Sequence, residues 1–464
     1  MGRPVVFVAN RGEIAVRVVE AAHRIGAEAV VGVSEADRDS LAARRADRTV
    51  VIGPSPANAS YLVPELVAQA AVQSGADVVH PGYGFLSEQP RLAELLEEHG
   101  VAFAGPRPET LRAVGDKASA REVAVRAGVP VARAEAIADS GDLADVARLG
   151  GLVGYPLLVK AVFGGGGRGI RLASDEAELA ALVPQAAAEA AAAFGDGALY
   201  LERFYGAARH VEVQVFGDGQ GGAQVFGDRD CSVQRRHQKL IEECPAPNLD
   251  EERRRVLHDA SRALVRELRY RGAGTVEFLV DTRSRDVVFL EMNARIQVEH
   301  PVTEEAYGID LVAAQLRLAL GCDPRLPDAP AVPPATAIEV RINAEDPELG
   351  FVPRPGLVER IEWPGGPGVR IDHHLIEGEG FPPYYDSLMA KLIVRAADRG
   401  SAVEALRSAV ERTRITGVPT TLPVHRAVLG HPDFVRGGVP TTWFGAMWEA
   451  RDEAPLETAD EKED

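Results

Sequence analysis

Two glutamates stand where a carboxylate is out of place. Glu277 lies in TVEFLV and Glu291 in VVFLEMN, both apolar, β-rich stretches. A buried carboxylate without a partner is very costly. Either the pair faces water on a half-buried sheet, or it shares a cation. With the amide oxygen of Asn293 it makes a hard-oxygen set suited to Mg²⁺, which commonly bridges such carboxylates to substrate phosphates. Just downstream, RIQVEHP crowds Arg295, Gln297, Glu299 and His300 together. Arg295 can clamp a planar oxyanion through two hydrogen bonds, and Glu299 is a candidate general base. RDCSVQRRHQK adds Gln234, His237 and Lys239. For that segment a solvated basic hairpin is the plain alternative, as packing or exposure is for a lone ring such as His210. The density of unlike polar groups beside the metal candidates favours chemistry for the cluster.

A second signal is KAVFGGGGRGI, Lys160 to Ile170. Glycine loses more chain entropy on folding than any other residue, so such a run needs a reason. Without a Cβ, backbone N–H groups can approach an anion closely. A P-loop carries its lysine after the glycines; here Lys160 precedes them, at the end of an apolar strand. A phosphate held between strand and loop is one reading, a plain flexible turn the other. Lys117, in VGDKASAR at a helix start, is a surface residue or a second phosphate contact. Of 51 basic residues only five are lysine: Lys117, Lys160, Lys239, Lys391 and Lys462. Where arginine is the rule, a lysine in a polar motif suggests a compact ammonium is needed there rather than a flat fork.

Those residues need a scaffold. The first hundred residues alternate strand and helix: PVVFVA, the helical NRGEIAVRVVEAAHRIG, AEAVVGVS, TVVIG, the helical VPELVAQAAVQSG, then ADVVHPGYG. That order predicts a parallel, doubly wound sheet. Its first turn lacks G-x-G-x-x-G, which argues against a dinucleotide site there. A second unit starts near Gly115 and holds the glycine loop, an alanine-rich helix and several strands. The proline-rich PRLPDAPAVPPA reads as a linker, and a mixed α+β unit follows to about Trp448. The acidic end, EARDEAPLETADEKED, is poor in apolar residues and predicts disorder. The expected division is 1–114, 115–325, 335–446 and a disordered tail over 449–464.

Composition closes off other classes. The chain has 464 residues, 46% hydrophobic and 26% charged, with net charge −18. Such a charge argues against nucleic acid or an anionic membrane as main partner. No apolar run reaches the roughly 18 residues of a membrane-spanning helix, and MGRPVVFVANRGE lacks the pattern of a secretion signal. Cys231, Cys244 and Cys322 are odd in number and lack metal-ligand spacing. These features predict a reduced, cytoplasmic protein.

Together NRGEIA, HPGYGFLSE, GDK, GGGGRGI, RHVEVQV, RDCSVQRRHQK, YRGAGTVEF, EMNARIQVEHPVTE, RINAEDP and PPYYDS resemble biotin carboxylase, the ATP-grasp component of biotin-dependent carboxylases. The likeness runs in register from about residue 4 to 445. It implies a doubly wound Rossmann-like N-terminal domain, an ATP-grasp domain with a glycine-rich lid over about 132–204, and a mixed α+β C-terminal domain. It implies ATP contacts from Lys117, Lys160, Gly165, Gly166, Gly167, His210, Gln234 and His237, with Glu202 and Leu279 near the adenine. Mg²⁺ (or Mn²⁺) would be held by Glu277, Glu291 and Asn293. Lys239, Arg295, Gln297 and the Val298 backbone would cradle bicarbonate, and Glu299 would deprotonate it. Tyr83 and Arg341 would lie near the ureido ring of biotin, with Asp386 facing that site.

The resemblance also implies partners: a separate biotin carboxyl carrier protein, a carboxyltransferase subunit, and a second copy in a homodimer. The expected reaction is the first half of an acyl-CoA carboxylase such as acetyl-CoA carboxylase, which serves fatty acid synthesis. The rivals are another ATP-grasp ligase joining a carboxylate to an amine through an acyl phosphate, a carboxylase of a small amine or amide that does not use biotin, and a regulatory subunit that has lost catalytic groups. Several residues depart from the family pattern: Val162-Phe163 replace Ser-Gly before the glycines, Arg203 replaces a lysine, Ala294 a threonine and Cys244 an alanine. None removes a catalytic group.

Overall fold

In the computed structural model, residues 2–161, 170–194 and 197–453 are described. They fall into two compact units. One comprises Met1–Val129, Arg209–Phe278 and Leu290–Asp464; the other comprises Pro130–Ala208 and Leu279–Phe289.

The first unit opens with the expected alternation. Strands Val5–Val8, Glu28–Ser34, Arg48–Gly53, Val78–His80 and Ala102–Phe103 form one five-stranded parallel sheet, with the first strand central. Such strands are covered on both faces, which is why VVFV and AVVGVS read as continuous apolar runs. Helix Gly12–Arg24 buries Ile14, Ala15, Val18, Val19 and Ala22, the i, i+3, i+4 positions of one stripe. Glu13, in the first turn of the same helix, is also buried.

An eight-stranded sheet dominates the rest of the unit. Its strands, in spatial order, are Val287–Asn293, Arg271–Asp281, Ala208–Asp218, Ala223–Arg235, Gln238–Cys244, Thr336–Asn343, Leu388–Ala396 and Val369–His373. The sheet is not interrupted at the proline-rich linker: Gln238–Cys244 pairs antiparallel with Thr336–Asn343, joining residues on either side of it. Helix Arg399–Arg412 packs Ala402, Val403, Leu406 and Val410 onto one face, against Ile338, Val340 and Leu392. Helix His300–Tyr307 covers the opposite face, where Val302 and Ala306 meet Cys244, Ala337 and Ile393.

The second unit is built on a four-stranded sheet ordered Ala134–Ile137, Leu199–Arg203, Leu157–Ala161, Ile170–Ala173. Helices Leu143–Val153 and Glu176–Phe194 pack on it through Val146, Leu149, Leu179, Val183 and Ala186. The alanine-rich segment is helical throughout, including Pro184.

One expectation is corrected. The chain does not lose order at residue 449: helix Trp443–Glu453 runs on through it. Four contacts fix that end. Trp448 stacks on Phe444 and meets Phe351 edge-on, and Arg451 lies over the Trp448 ring and donates to Glu348. Aromatic burial there outweighs the acidic composition. Residues 454–464 lie outside the described residues, as do Gly165, Gly166, Gly167 and the Val162-Phe163 departure.

Candidate active site

Lys239 is the centre of the cluster. It stands on the strand that follows a tight hairpin whose tip, Arg236-His237, has both residues at positive φ, 48° and 68°. Its ammonium donates to three buried carboxylates: Glu212 Oε2 at 2.7 Å, Glu277 Oε1 at 3.2 Å, and Glu299 Oε1. Glu212 comes from RHVEVQV, where period-two alternation aims His210, Glu212 and Gln214 to one face. It is wholly buried and is held from behind by Arg229 Nε at 2.6 Å. Arg229 is itself sealed, and its other N–H groups donate to Gln214, Thr303 and Thr275. A buried guanidinium satisfied on every side makes a rigid footing.

Glu277 gathers donors. Asn293 Nδ2 donates to its Oε1 at 2.9 Å and Gln297 Nε2 at 3.0 Å. His210 Nε2 lies 2.9 Å from the other oxygen. Burial would raise the Glu277 pKa, but Lys239 and His210 outweigh it and bring it down to about 2. This carboxylate is therefore ionised at any physiological pH, as a cation ligand must be. Glu291 and Asn293 follow two apart on one strand face. The three residues thus fit Mg²⁺ in donor type, with Asn293 Oδ1 turned to Arg295 Nη2 at 2.8 Å. Two other triplets, His210–Glu212–Glu277 and Glu212–Cys231–Glu299, bring ligand atoms within 4.8 Å of one another. Lys239 reaches Glu212, Glu277 and Glu299 and supplies positive charge at both.

Arg295 spans the next positions. It donates to Glu88 Oε2 at 2.9 Å, Gln297 Oε1 at 2.7 Å and Asn293 Oδ1. Glu299 is fully buried at the N-terminus of helix His300–Tyr307. One of its oxygens meets Lys239; the other accepts from Arg341 Nη2 at 2.9 Å. Burial pushes the Glu299 pKa up, yet Lys239, Arg341 and Arg229 together hold it well below the carboxylate range. Arg341 is anchored from its other side by Glu242, Nε to Oε1 at 2.6 Å. Val298 offers its carbonyl to Lys391 Nζ at 2.8 Å, and that buried ammonium also sits 3.1 Å from Glu13 Oε1. Tyr83 donates its hydroxyl to Glu13. Tyr83 and Asp386 both line a cavity of about 240 Å³ together with Asn10, Arg11 and His374.

The structure thus brings Lys239, Glu277, Asn293, Arg295, Gln297, Glu299 and Arg341 into one bonded cluster, with the His210 ring close to Glu277. Gln234 is buried nearby on the hairpin, its amide 3.5 Å from Cys231 O. His237 is exposed at the hairpin tip. In the second unit, Lys160 and Glu202 form an ion pair, with side chains 20% and 21% exposed, on adjacent strands. Leu279 is half-buried two residues before the end of its strand. Lys117 opens helix Lys117–Arg126, whose N-terminus Asp116 caps by accepting from Ser119 N. Arg203, one of the departures, donates to the Tyr155 carbonyl.

Sequence reasoning missed Glu212, Arg229, Glu242 and Glu88. For Glu212 a signal existed: a glutamate between valines, in step with His210. Glu242, in LIEEC, shows the same anomaly.

Comparison with known proteins bears on what this cluster is. Residues 4–111 match the biotin carboxylase N-terminal domain, 116–326 the carbamoyl-phosphate synthase L chain ATP-binding domain, and 339–446 the biotin carboxylase C-terminal domain. The chain belongs to the biotin carboxylase family. It is 47% identical to the chloroplastic biotin carboxylase of Arabidopsis thaliana, over 95% of this chain and 81% of that one. It is 45% identical to the biotin carboxylase of Pseudomonas aeruginosa, over 94% and 96%. Its fold matches the biotin carboxylase domain of Hydrogenobacter thermophilus 2-oxoglutarate carboxylase, a dimer solved with MgADP, ADP and bicarbonate. The TM-score is 0.84 at 41% identity, over 96% of this chain and 98% of that one. Members of this family are ATP-dependent ligases, and this chain is such an enzyme. Among the described residues no helix is long and apolar enough to cross a membrane.

Proposed function

We propose that this chain carboxylates biotin carried on a separate biotin carboxyl carrier protein, using ATP and bicarbonate, as the first half-reaction of an acyl-CoA carboxylase such as acetyl-CoA carboxylase. A carboxyltransferase subunit would take the product, and the working form would be a homodimer in the cytoplasm. The observation that carries this reading is Glu299, buried between two cations and beside the Arg295–Gln297 pair. A carboxylate so placed could take a proton from a small anion held by Arg295, Gln297 and Lys239.

Arg295, Gln297 and Lys239 would hold bicarbonate, and Lys160 with Lys117 and His210 would hold ATP phosphates. Gln234, His237, Glu202, Leu279 and the glycine loop would complete the nucleotide contacts. Glu277, Glu291 and Asn293 would hold Mg²⁺, which when bound neutralises phosphate charge. Glu299 must first become a better base, because its present partners depress its pKa. Bicarbonate at Lys239 and Arg295 competes for the positive charge. Arg341, once turned toward the ureido oxygen of biotin beside Tyr83, removes a second partner. Glu299 then accepts the bicarbonate proton, and bicarbonate oxygen attacks the γ-phosphorus. The product is carboxyphosphate and ADP. Carboxyphosphate yields CO₂ and phosphate, phosphate takes the N1′ proton, and Arg341 stabilises the ureido oxyanion as N1′ attacks CO₂.

The test is ADP release from MgATP and bicarbonate, with and without free biotin. Strong stimulation by biotin is expected. Stimulation by a small amine or amide instead would establish the rival acceptor class.

A further inference from the structure

Strands Gln238–Cys244, Thr336–Asn343 and Leu388–Ala396 run side by side, and their registers oppose like charges. Glu242 faces Glu339, and Arg341 faces Lys391. Direct partners in a ladder share a face, as do residues two apart on one strand. All four side chains therefore rise from one face, the face that also carries Cys244, Ala337 and Ile393 and is closed by Val302 and Ala306 of helix His300–Tyr307. Glu242, Glu339 and Lys391 are wholly buried there.

The charges do not pair off. Arg341 donates to Glu242 Oε1 and to Glu299. Lys391 is bonded to Val298 O and lies 3.1 Å from Glu13 and 3.8 Å from Asp372. Neither oxygen of Glu339 has a hydrogen-bond partner, nor does Glu242 Oε2. The groups facing the pair are Arg341, Lys391, Glu299, Lys239 and, from the neighbouring strand, Cys231. Two opposed carboxylates on a dry face cannot both ionise cheaply.

We propose that Glu242 and Glu339 hold one proton between them at neutral pH, and that the single charge left on the pair keeps Arg341 stationed between Glu242 and Glu299. Burial, opposed by Arg341, still lifts the Glu242 pKa to about 7, and burial lifts Glu339 further above the carboxylate range. Two charges would draw Arg341 off Glu299 and Lys391 off the Val298 carbonyl. With no charge, Arg341 would lose its anchor at Nε. Glu242 and Glu339 are on this view positioning residues.

Charge counting on the full-length protein tests this. In native capillary electrophoresis at pH 7, E242Q and E339Q are each expected to keep the wild-type net charge, because the remaining carboxylate gives up the shared proton. The double variant should lose one negative charge, as should the exposed control E404Q. A one-charge loss in either single variant, or none in the double, overturns the shared proton. If the double variant does not fold, infrared difference spectra of wild type minus E339Q decide: a protonated-carboxyl band is expected, and its absence refutes the idea. The positioning half rests on the proposed function. E242Q should lower biotin-stimulated kcat by about tenfold, the scale of one charged hydrogen bond, with ATP KM unchanged. An unaltered kcat would overturn that half while leaving the proton count intact, and no turnover in wild type would indict the function instead.

Discussion

The cluster around Lys239 and the pair Lys160–Glu202 show two ways of holding a lysine. Lys239 is tied to three buried carboxylates, themselves braced by Arg229, Asn293 and Gln297. Lys160 has one half-buried glutamate and lies 5.9 Å from the Tyr200 ring. Preorganised charge in a dry site is worth most where charge develops during reaction. A lysine that only holds a ligand needs less bracing and can exchange its glutamate for a phosphate at small cost. The difference suggests that the first set acts on the transition state and the second on binding.

Substitutions can break or sharpen that contrast. Glu299→Gln should lower ADP release by about a thousandfold, in the range of general-base loss, with nucleotide affinity in a binding titration nearly intact. Equal loss of both would mean Glu299 supports structure rather than chemistry. Lys391→Met should lower folding stability by about 3–5 kcal/mol in denaturant unfolding, because it strands Glu13 in the interior. Lys160→Ala should raise ATP KM by about tenfold and leave kcat closer to wild type, as lost ground-state binding does. Glu202→Gln, which only frees Lys160 from a partly solvated pair, should change ATP KM by no more than about threefold. If Glu202→Gln rivals Glu299→Gln, the contrast fails.

A pH experiment adds a smaller effect. The Glu339 pKa is raised in the folded state, so its contribution to stability is complete below the unfolded carboxylate value. It is lost as pH rises through the folded one. Thermal melts of the wild type should therefore decline more steeply from about pH 5 upward than those of Glu339→Gln. Parallel curves would place the proton elsewhere.

Much of this was legible beforehand because local rules sufficed. The parallel sheet announced itself through fully apolar strands, and Glu277 through its conflict with such a strand. Glu299, Arg295 and Gln297 stood close in sequence, so their density gave them away. Arg229 and Glu242 did not, since what makes them matter lies far along the chain: Thr303 and Thr275 for one, Arg341 for the other. The helix through residue 449 was hidden for the same reason, because Phe351 fixes it from nearly a hundred positions away.

The uninterrupted eight-stranded sheet has a practical consequence. Cutting the chain in the proline-rich stretch would sever Gln238–Cys244 from Thr336–Asn343 and bare a row of unpaired amides and carbonyls flanked by Leu240 and Ile241. Such an edge invites intermolecular strand addition. A fragment ending in that stretch is expected to aggregate, because in the intact chain Thr336–Asn343 covers this edge.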